Sequence, residues 1–218
     1  AWQLSNQRAL AGSGPLWVAL GDSLSQGIGA SAYDRGWVGQ LAGQLREQGR
    51  IERVVNLAIS GGRARDVIER QLPELARLTA SVGPPELITL LIGSNDLIRR
   101  KYRMAALADF ELLLAQLPAG AMVASLPNPT ATASALNRSL QRAVTERELL
   151  LVELRQPRTT SWRGKLAADH FHPSDLGYAG IAGVFADALG VYRWGLISAA
   201  RRRCHRRLDP DGWPDRSG

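Results

Sequence analysis

Residues 86–92, Glu-Leu-Ile-Thr-Leu-Leu-Ile, form a nearly continuous apolar run that ends at Gly93. Its length suits a strand rather than a helix. Successive side chains of a strand point to opposite faces, so both faces of this one must be covered. Shorter apolar runs at 16–20, 53–57, 121–126 and 149–154 read as four further strands. Helical spacing fills the intervals. Trp37, Val38, Leu41 and Leu45 stripe a helix over 37–48, with Gly49 placed to stop it. Val67, Ile68, Leu72, Leu75 and Leu78 mark another over 63–78, with a kink expected at Pro73. Residues 104–117, 134–148 and 175–189 supply three more, the last expected to continue through 192–200. Strands alternating with helices predict a five-stranded parallel sheet with helices on both faces, an α/β/α sandwich. A chain of 218 residues fits one such domain, here 1–200, followed by a basic and flexible tail over 201–218.

In open parallel sheets ligands bind beyond the carboxyl ends of the strands. Chemistry-bearing segments fall there. Gly21-Asp22-Ser23-Leu24-Ser25 follows the first strand, and Asn56-Leu57-Ala58-Ile59-Ser60-Gly61-Gly62 the second. Gly93-Ser94-Asn95-Asp96 follows the third, and Asp169-His170-Phe171-His172-Pro173 lies near the C-terminus. Acyl transfer needs a nucleophile, a base, a group that orients the base, and donors for the oxyanion. Ser23, between a strand and a helix start, is the candidate nucleophile. His172 is the candidate base, since a neutral imidazole (reference pKa about 6.5) accepts a proton near neutral pH. Asp169, three residues earlier on a turn, is the candidate orienter of the ring. The Ser23 N–H, the Gly61 N–H and the Asn95 side-chain amide would complete an oxyanion hole.

These four segments, in this order, resemble the four blocks of SGNH (GDSL-type) hydrolases, over roughly residues 16–178. The resemblance implies a flavodoxin-like sandwich and metal-independent hydrolysis of acyl esters or thioesters, with no cofactor. It implies Ser23 as nucleophile, Asp169 and His172 as its triad partners, and Gly61 and Asn95 as oxyanion donors. The choice of Gly61 over Gly62 rests on alignment with the family's Ser-Gly pattern.

Each segment alone has an ordinary reading. Gly-Asp-Ser is common in turns, Asn95-Asp96 could cap a helix with Asp96 bonding nearby backbone, and Gly61-Gly62 could be a plain turn. Their joint order and complementary roles favour the catalytic reading. His170 competes with His172 as base, but as the neighbour of Asp169 it should point elsewhere. No histidine pair has zinc-ligand spacing, no carboxylate pair suggests acid–base work, and no phosphate-binding glycine loop is present.

The net charge of +7 comes almost wholly from arginine and is concentrated at Arg201, Arg202, Arg203, Arg206 and Arg207. Such a run could attract phosphates or an anionic membrane, but a solvated helix end is the favoured reading, and no nucleic-acid partner is expected. His205 and the lone Cys204 fall in the same tail, with no disulfide framework. No apolar stretch is long enough to span a bilayer, so stable membrane insertion is not expected. The 15 N-terminal residues carry no signal-peptide core. That leans towards a cytoplasmic, monomeric protein, although the sequence does not begin with Met. The expected partner is a small acyl ester. An acyltransferase using a sugar or lipid hydroxyl is the alternative, and an idle binding module docking through its tail is a more distant one. Loop 26–33 and the turn 127–130 are expected to border the pocket.

Overall fold

The computed structural model describes residues 2–191. Five strands form one parallel sheet: β1 (Leu16–Gly21), β2 (Arg53–Asn56), β3 (Leu87–Leu91), β4 (Met122–Ala124) and β5 (Leu150–Val152), in the order β2-β1-β3-β4-β5. This is the flavodoxin-like order, with the topology reversing at β1. Val18 aligns with Val55 on one side and Ile88 on the other.

Strand alternation sorts the core into two layers. Leu16, Val18, Leu20, Ile88 and Leu90 face α5 (Leu72–Val82), α7 (Arg100–Gln116) and α8 (Ala131–Glu146). Trp17, Ala19, Leu87 and Leu91 face α3 (Trp37–Glu47) and α10 (Asp175–Val191), where Trp37 stacks on Phe185 at 4.1 Å between ring centres. The buried Trp17 Nε1 donates to Thr89 Oγ1 at 2.9 Å, so its indole N–H is satisfied inside the core.

Several boundaries differ from the sequence expectation. A helix, α1 (Trp2–Ala11), forms where the polar N-terminus showed no apolar stripe. It lies across the free edge of β2, with Ala9 packed on one core and Trp2 on the other. Asn6 acts as a surrogate strand there: its Nδ2 donates to Asn56 O at 2.8 Å, and Asn56 N donates to its Oδ1 at 2.9 Å. The helix expected over 63–78 runs instead from α4 (Ala64–Asp66) through a wide π turn (Val67–Gln71) into α5. Pro73 has no N–H to offer. The Leu72 N–H reaches back five residues to Val67 O, so the irregularity falls before the proline rather than at it. α7 starts at Arg100 rather than Met104, because exposed arginines and a lysine extend it without an apolar signal. Three further helices are short: α2 (Ser23–Gln26) begins at the helix start expected beside Ser23, α6 (Ser94–Ile98) forms around Asn95-Asp96 where a helix cap was one reading, and α9 (Pro157–Thr160) was not expected. The expected continuation through 192–200 and the basic tail, with Cys204 and His205, lie outside the described residues.

Candidate active site

The polypeptide leaves β1 through Gly21, whose φ of +144° brings it so close to its neighbours that a Cβ would sit 2.3 Å from Leu91 O. Glycine is therefore required just before the nucleophile candidate. The Gln71 side chain, fully buried, holds the same residue from the π turn: Gly21 N donates to Gln71 Oε1 at 2.9 Å, and Gln71 Nε2 donates to Gly21 O at 2.8 Å. Asp22 then caps α2, its Oδ1 accepting from Leu24 N at 2.9 Å. Ser23 opens that helix, so its N–H has no carbonyl one turn back to donate to. Its residue surface is only 7% exposed.

His172 Nε2 lies 3.1 Å from Ser23 Oγ, and its Nδ1 lies 2.6 Å from Asp169 Oδ2. The other oxygen of Asp169 accepts from the backbone N–H of Phe171 and His172 at 3.0 and 2.9 Å. The hydrogen bond from His172, followed by these two N–H groups, holds the Asp169 carboxyl down to about 2. An ionised Asp169 needs a donor at Nδ1, which leaves Nε2 as the acceptor facing the Ser23 hydroxyl. The bend that carries these groups is closed by Ala167 N donating to His172 O at 2.8 Å and by pairing of Leu166 with Pro173. His170 sits on the same bend in a left-handed conformation, φ +53°, exposed to solvent.

Gly61 and Asn95 come from the segments after β2 and β3. Gly61 has a φ of +75°. The neighbouring Gly62 N–H donates to Ile59 O at 2.8 Å. Asn95 is the second residue of α6, and its Nδ2 donates to Gly62 O at 2.9 Å and to Asp22 Oδ2 at 3.3 Å. All five expected residues thus gather beyond the carboxyl edge of the sheet. Asp96 points away and accepts from Ala64 N at 3.2 Å, the backbone role expected for it.

Two buried groups, Asp22 and Gln71, had no assigned role in the sequence. Burial pushes the Asp22 carboxyl up to about 7, and the nearby Asp96 adds to the shift. Burial likewise lifts Asp96, to about 6. Asp22 was visible inside its motif, but nothing in the sequence shows that it meets Asn95. Gln71 gave no signal at all, being one polar residue on an amphipathic helix.

Loop 26–33 is stitched to the start of α10, which follows the bend carrying His172. Tyr178 Oη donates to Ile28 O at 2.6 Å, and both oxygens of Asp175 accept from Ser31, from N at 2.8 Å and Oγ at 2.6 Å. A concavity of about 420 Å³ is lined by part of this loop and by Trp2, whose indole meets Tyr33 edge-on at 5.2 Å. The turn 127–130 runs to Thr130, which caps α8 by accepting from Ala133 N. Among the described residues, no cluster of three His, Cys, Asp or Glu side chains could hold a metal ion, and no helix is long and apolar enough to cross a membrane.

Residues 19–179 match the model of the GDSL-like lipase/acylhydrolase family. No curated protein matches the chain. Solved structures similar to it include that of TesA, at 22% identity and a TM-score of 0.62, covering 80% of this chain and 97% of that one. An acetyl xylan esterase from Geobacillus stearothermophilus is 21% identical with a TM-score of 0.61, covering 82% and 96%. The psychrotrophic esterase EstA from Pseudoalteromonas sp. is 19% identical with a TM-score of 0.62, covering 82% and 98%. At these identities the structural likeness establishes the fold.

Proposed function

The chain belongs to the GDSL-like lipase/acylhydrolase family, and from that premise we propose that it hydrolyses carboxylic esters through an acyl-enzyme on Ser23. The observation that carries the reading is the continuous contact from Ser23 Oγ to His172 Nε2, and from His172 Nδ1 to Asp169 Oδ2. Ser23 Oγ attacks the ester carbonyl while its proton passes to His172 Nε2. The imidazolium is stabilised by the ionised Asp169. The oxyanion is taken by the Ser23 N–H, the Gly61 N–H and the Asn95 amide. Gly61 is favoured over Gly62 because the Gly62 N–H already donates to Ile59 O. Collapse breaks the bond to the leaving oxygen, which departs as the alcohol with the proton from His172. Water then attacks the acyl-enzyme, gives its proton to His172, and the acid is released as Ser23 recovers its hydrogen.

The test is Ser23→Ala, which removes the nucleophile and leaves the cap from Asp22 to Leu24 in place. Turnover of p-nitrophenyl acetate should fall by about 10⁴-fold or more, with an unchanged unfolding transition. A fluorophosphonate probe should label the parent chain and spare the variant. Retained turnover or labelling in Ser23→Ala would remove the reading.

A further inference from the structure

Beyond the oxyanion side of Ser23, the surface changes character. Ile98 closes α6, three residues (about 4.5 Å along the axis) past Asn95. It is followed by Arg99-Arg100-Lys101-Tyr102-Arg103-Met104. Ile98 is 54% exposed and Met104 84% exposed, a cost in water that nothing in the core repays. The four cations between them are exposed, and no acidic side chain among the described residues pairs with any of them. The Lys101 ammonium and the Arg63 guanidinium instead lie 5.0 and 4.3 Å from the centre of the Tyr102 ring. On the base side of Ser23 the rim is apolar again. Phe171, edge-on to His172 at 4.9 Å, is 63% exposed, and Leu176 at the start of α10 is 61% exposed.

We infer that this rim is a docking surface for a bilayer bearing anionic phospholipid headgroups, presenting bilayer-borne acyl esters to Ser23. The substrate part of this inference rests on the hydrolase reading above. The argument is one of joint use. Clustered cations attract a polyanion of any kind, but a nucleic acid would leave Ile98, Met104, Phe171 and Leu176 in water. A lipid surface takes both: phosphates pair with the arginines and the lysine, and the apolar side chains enter the headgroup–acyl boundary. An aromatic ring beside cations, as at Tyr102, suits the same interfacial depth. No spanning segment is needed for such peripheral binding.

The test uses the full chain, so that the arginines at 201–207 are present in every sample. Co-sedimentation is measured with vesicles of phosphatidylcholine alone and of equimolar phosphatidylcholine and phosphatidylglycerol. The parent chain should bind the anionic vesicles selectively and release fatty acid from them. The triple variant Arg99→Gln, Arg100→Gln, Lys101→Gln should bind them at least about tenfold more weakly, since each cation near such a surface contributes. Met104→Ser should weaken vesicle binding and leave binding to duplex DNA unchanged. Both variants should turn over soluble p-nitrophenyl acetate at the parent rate, which separates docking from chemistry. Anionic vesicles bound equally by the triple variant and the parent would overturn the surface. So would vesicle binding indifferent to Met104→Ser. Bound enzyme that releases no fatty acid but turns over p-nitrophenyl acetate would overturn the assignment of bilayer esters. A chain that docks selectively yet turns over neither substrate would sink the hydrolase reading while supporting the docking surface.

Discussion

The side-chain amide of Asn95 is held between Gly62 O, at 2.9 Å, and the buried carboxyl of Asp22, at 3.3 Å. The shorter contact fixes the rotation of the amide, and the longer one is weak enough for its hydrogen to be shared with an oxyanion. Asp22→Asn would keep an oxygen for the Leu24 N–H but set a second NH2 against that of Asn95. The donor should then turn away from the oxyanion position. We expect kcat for p-nitrophenyl acetate to fall by roughly 10- to 100-fold with little change in KM, somewhat less than deletion of a whole oxyanion donor. Unchanged kcat would show that Asp22 does not orient Asn95.

Asp169 is half exposed, and an ionised carboxylate at Nδ1 directs the imidazole tautomer. Its side chain is 44% exposed, and each oxygen is committed to the bend that carries His172. Asp169→Asn should lower kcat by about 10²- to 10⁴-fold, since an amide cannot compel Nδ1 to carry the proton as an ionised carboxylate does. The unfolding midpoint should hardly move. His170→Asn is the matching control: asparagine tolerates the left-handed backbone, and activity should persist. Loss of activity in the control would reassign the base.

The two buried carboxyls make stability fall with rising pH over a window where most proteins are indifferent. Asp22 is raised from 3.8 to about 7 and Asp96 from 3.8 to about 6. Between those limits the folded chain holds protons that the unfolded chain has released, so each rise in pH favours unfolding until both groups are ionised. Glu153 acts oppositely. Its hydrogen bond to Arg155 holds it down to about 2, so its contribution is lost as pH falls from about 4 towards 2. The midpoint should therefore peak near about pH 4 to 5 and decline towards about pH 7.5. Asp22→Asn should flatten that decline and raise stability at the upper end. A midpoint independent of pH between about 5 and 7.5 would contradict the burial argument.

What the sequence made legible follows from which interactions leave a pattern. Burial on both faces leaves continuous apolar runs, so β1 and β3 and the sheet edge that gathers Ser23, Gly61, Asn95 and His172 could be placed. The bend at Asp169–His172 was legible because three-residue spacing is itself a geometric statement. Helix α1 was not, because it buries no residue fully and docks through one amide and one indole. The π turn was not, since Pro73 signals a defect without saying on which side the backbone absorbs it. Both illegible features act through side-chain amides meeting backbone, which no periodicity records.

Asn6 supplies a simple measure of that hidden contribution. Asn6→Ala removes both partners of the buried Asn56 backbone on the open edge of β2. Destabilisation of about 1–3 kcal/mol is expected, the cost of leaving buried peptide groups unsatisfied. Asn6→Asp keeps the acceptor for Asn56 N but, when ionised, sets an oxygen anion against Asn56 O, so its loss of stability should shrink as pH is lowered and the carboxyl takes a proton. Equal stability of all three chains would mean that α1 is held by its apolar contacts alone.

Gln71 bears on the site itself, because the residue it holds is separated from Ser23 only by Asp22. Gln71→Leu strips the Gly21 N–H of its acceptor and leaves Gly21 O with the Ile59 N–H at 3.1 Å. Stability should drop by about 1–3 kcal/mol, and kcat should drop as well, because the exit from β1 loses its clamp. Gln71→Glu separates positioning from simple loss of stability. A protonated carboxyl can accept from Gly21 N and donate to Gly21 O as the amide does, whereas an ionised one sets an anion against that carbonyl. At a temperature where the variant stays folded throughout, its kcat relative to the parent should therefore recover as pH is lowered. A ratio that stays constant with pH would mean that Gln71 fills space and does not position the nucleophile.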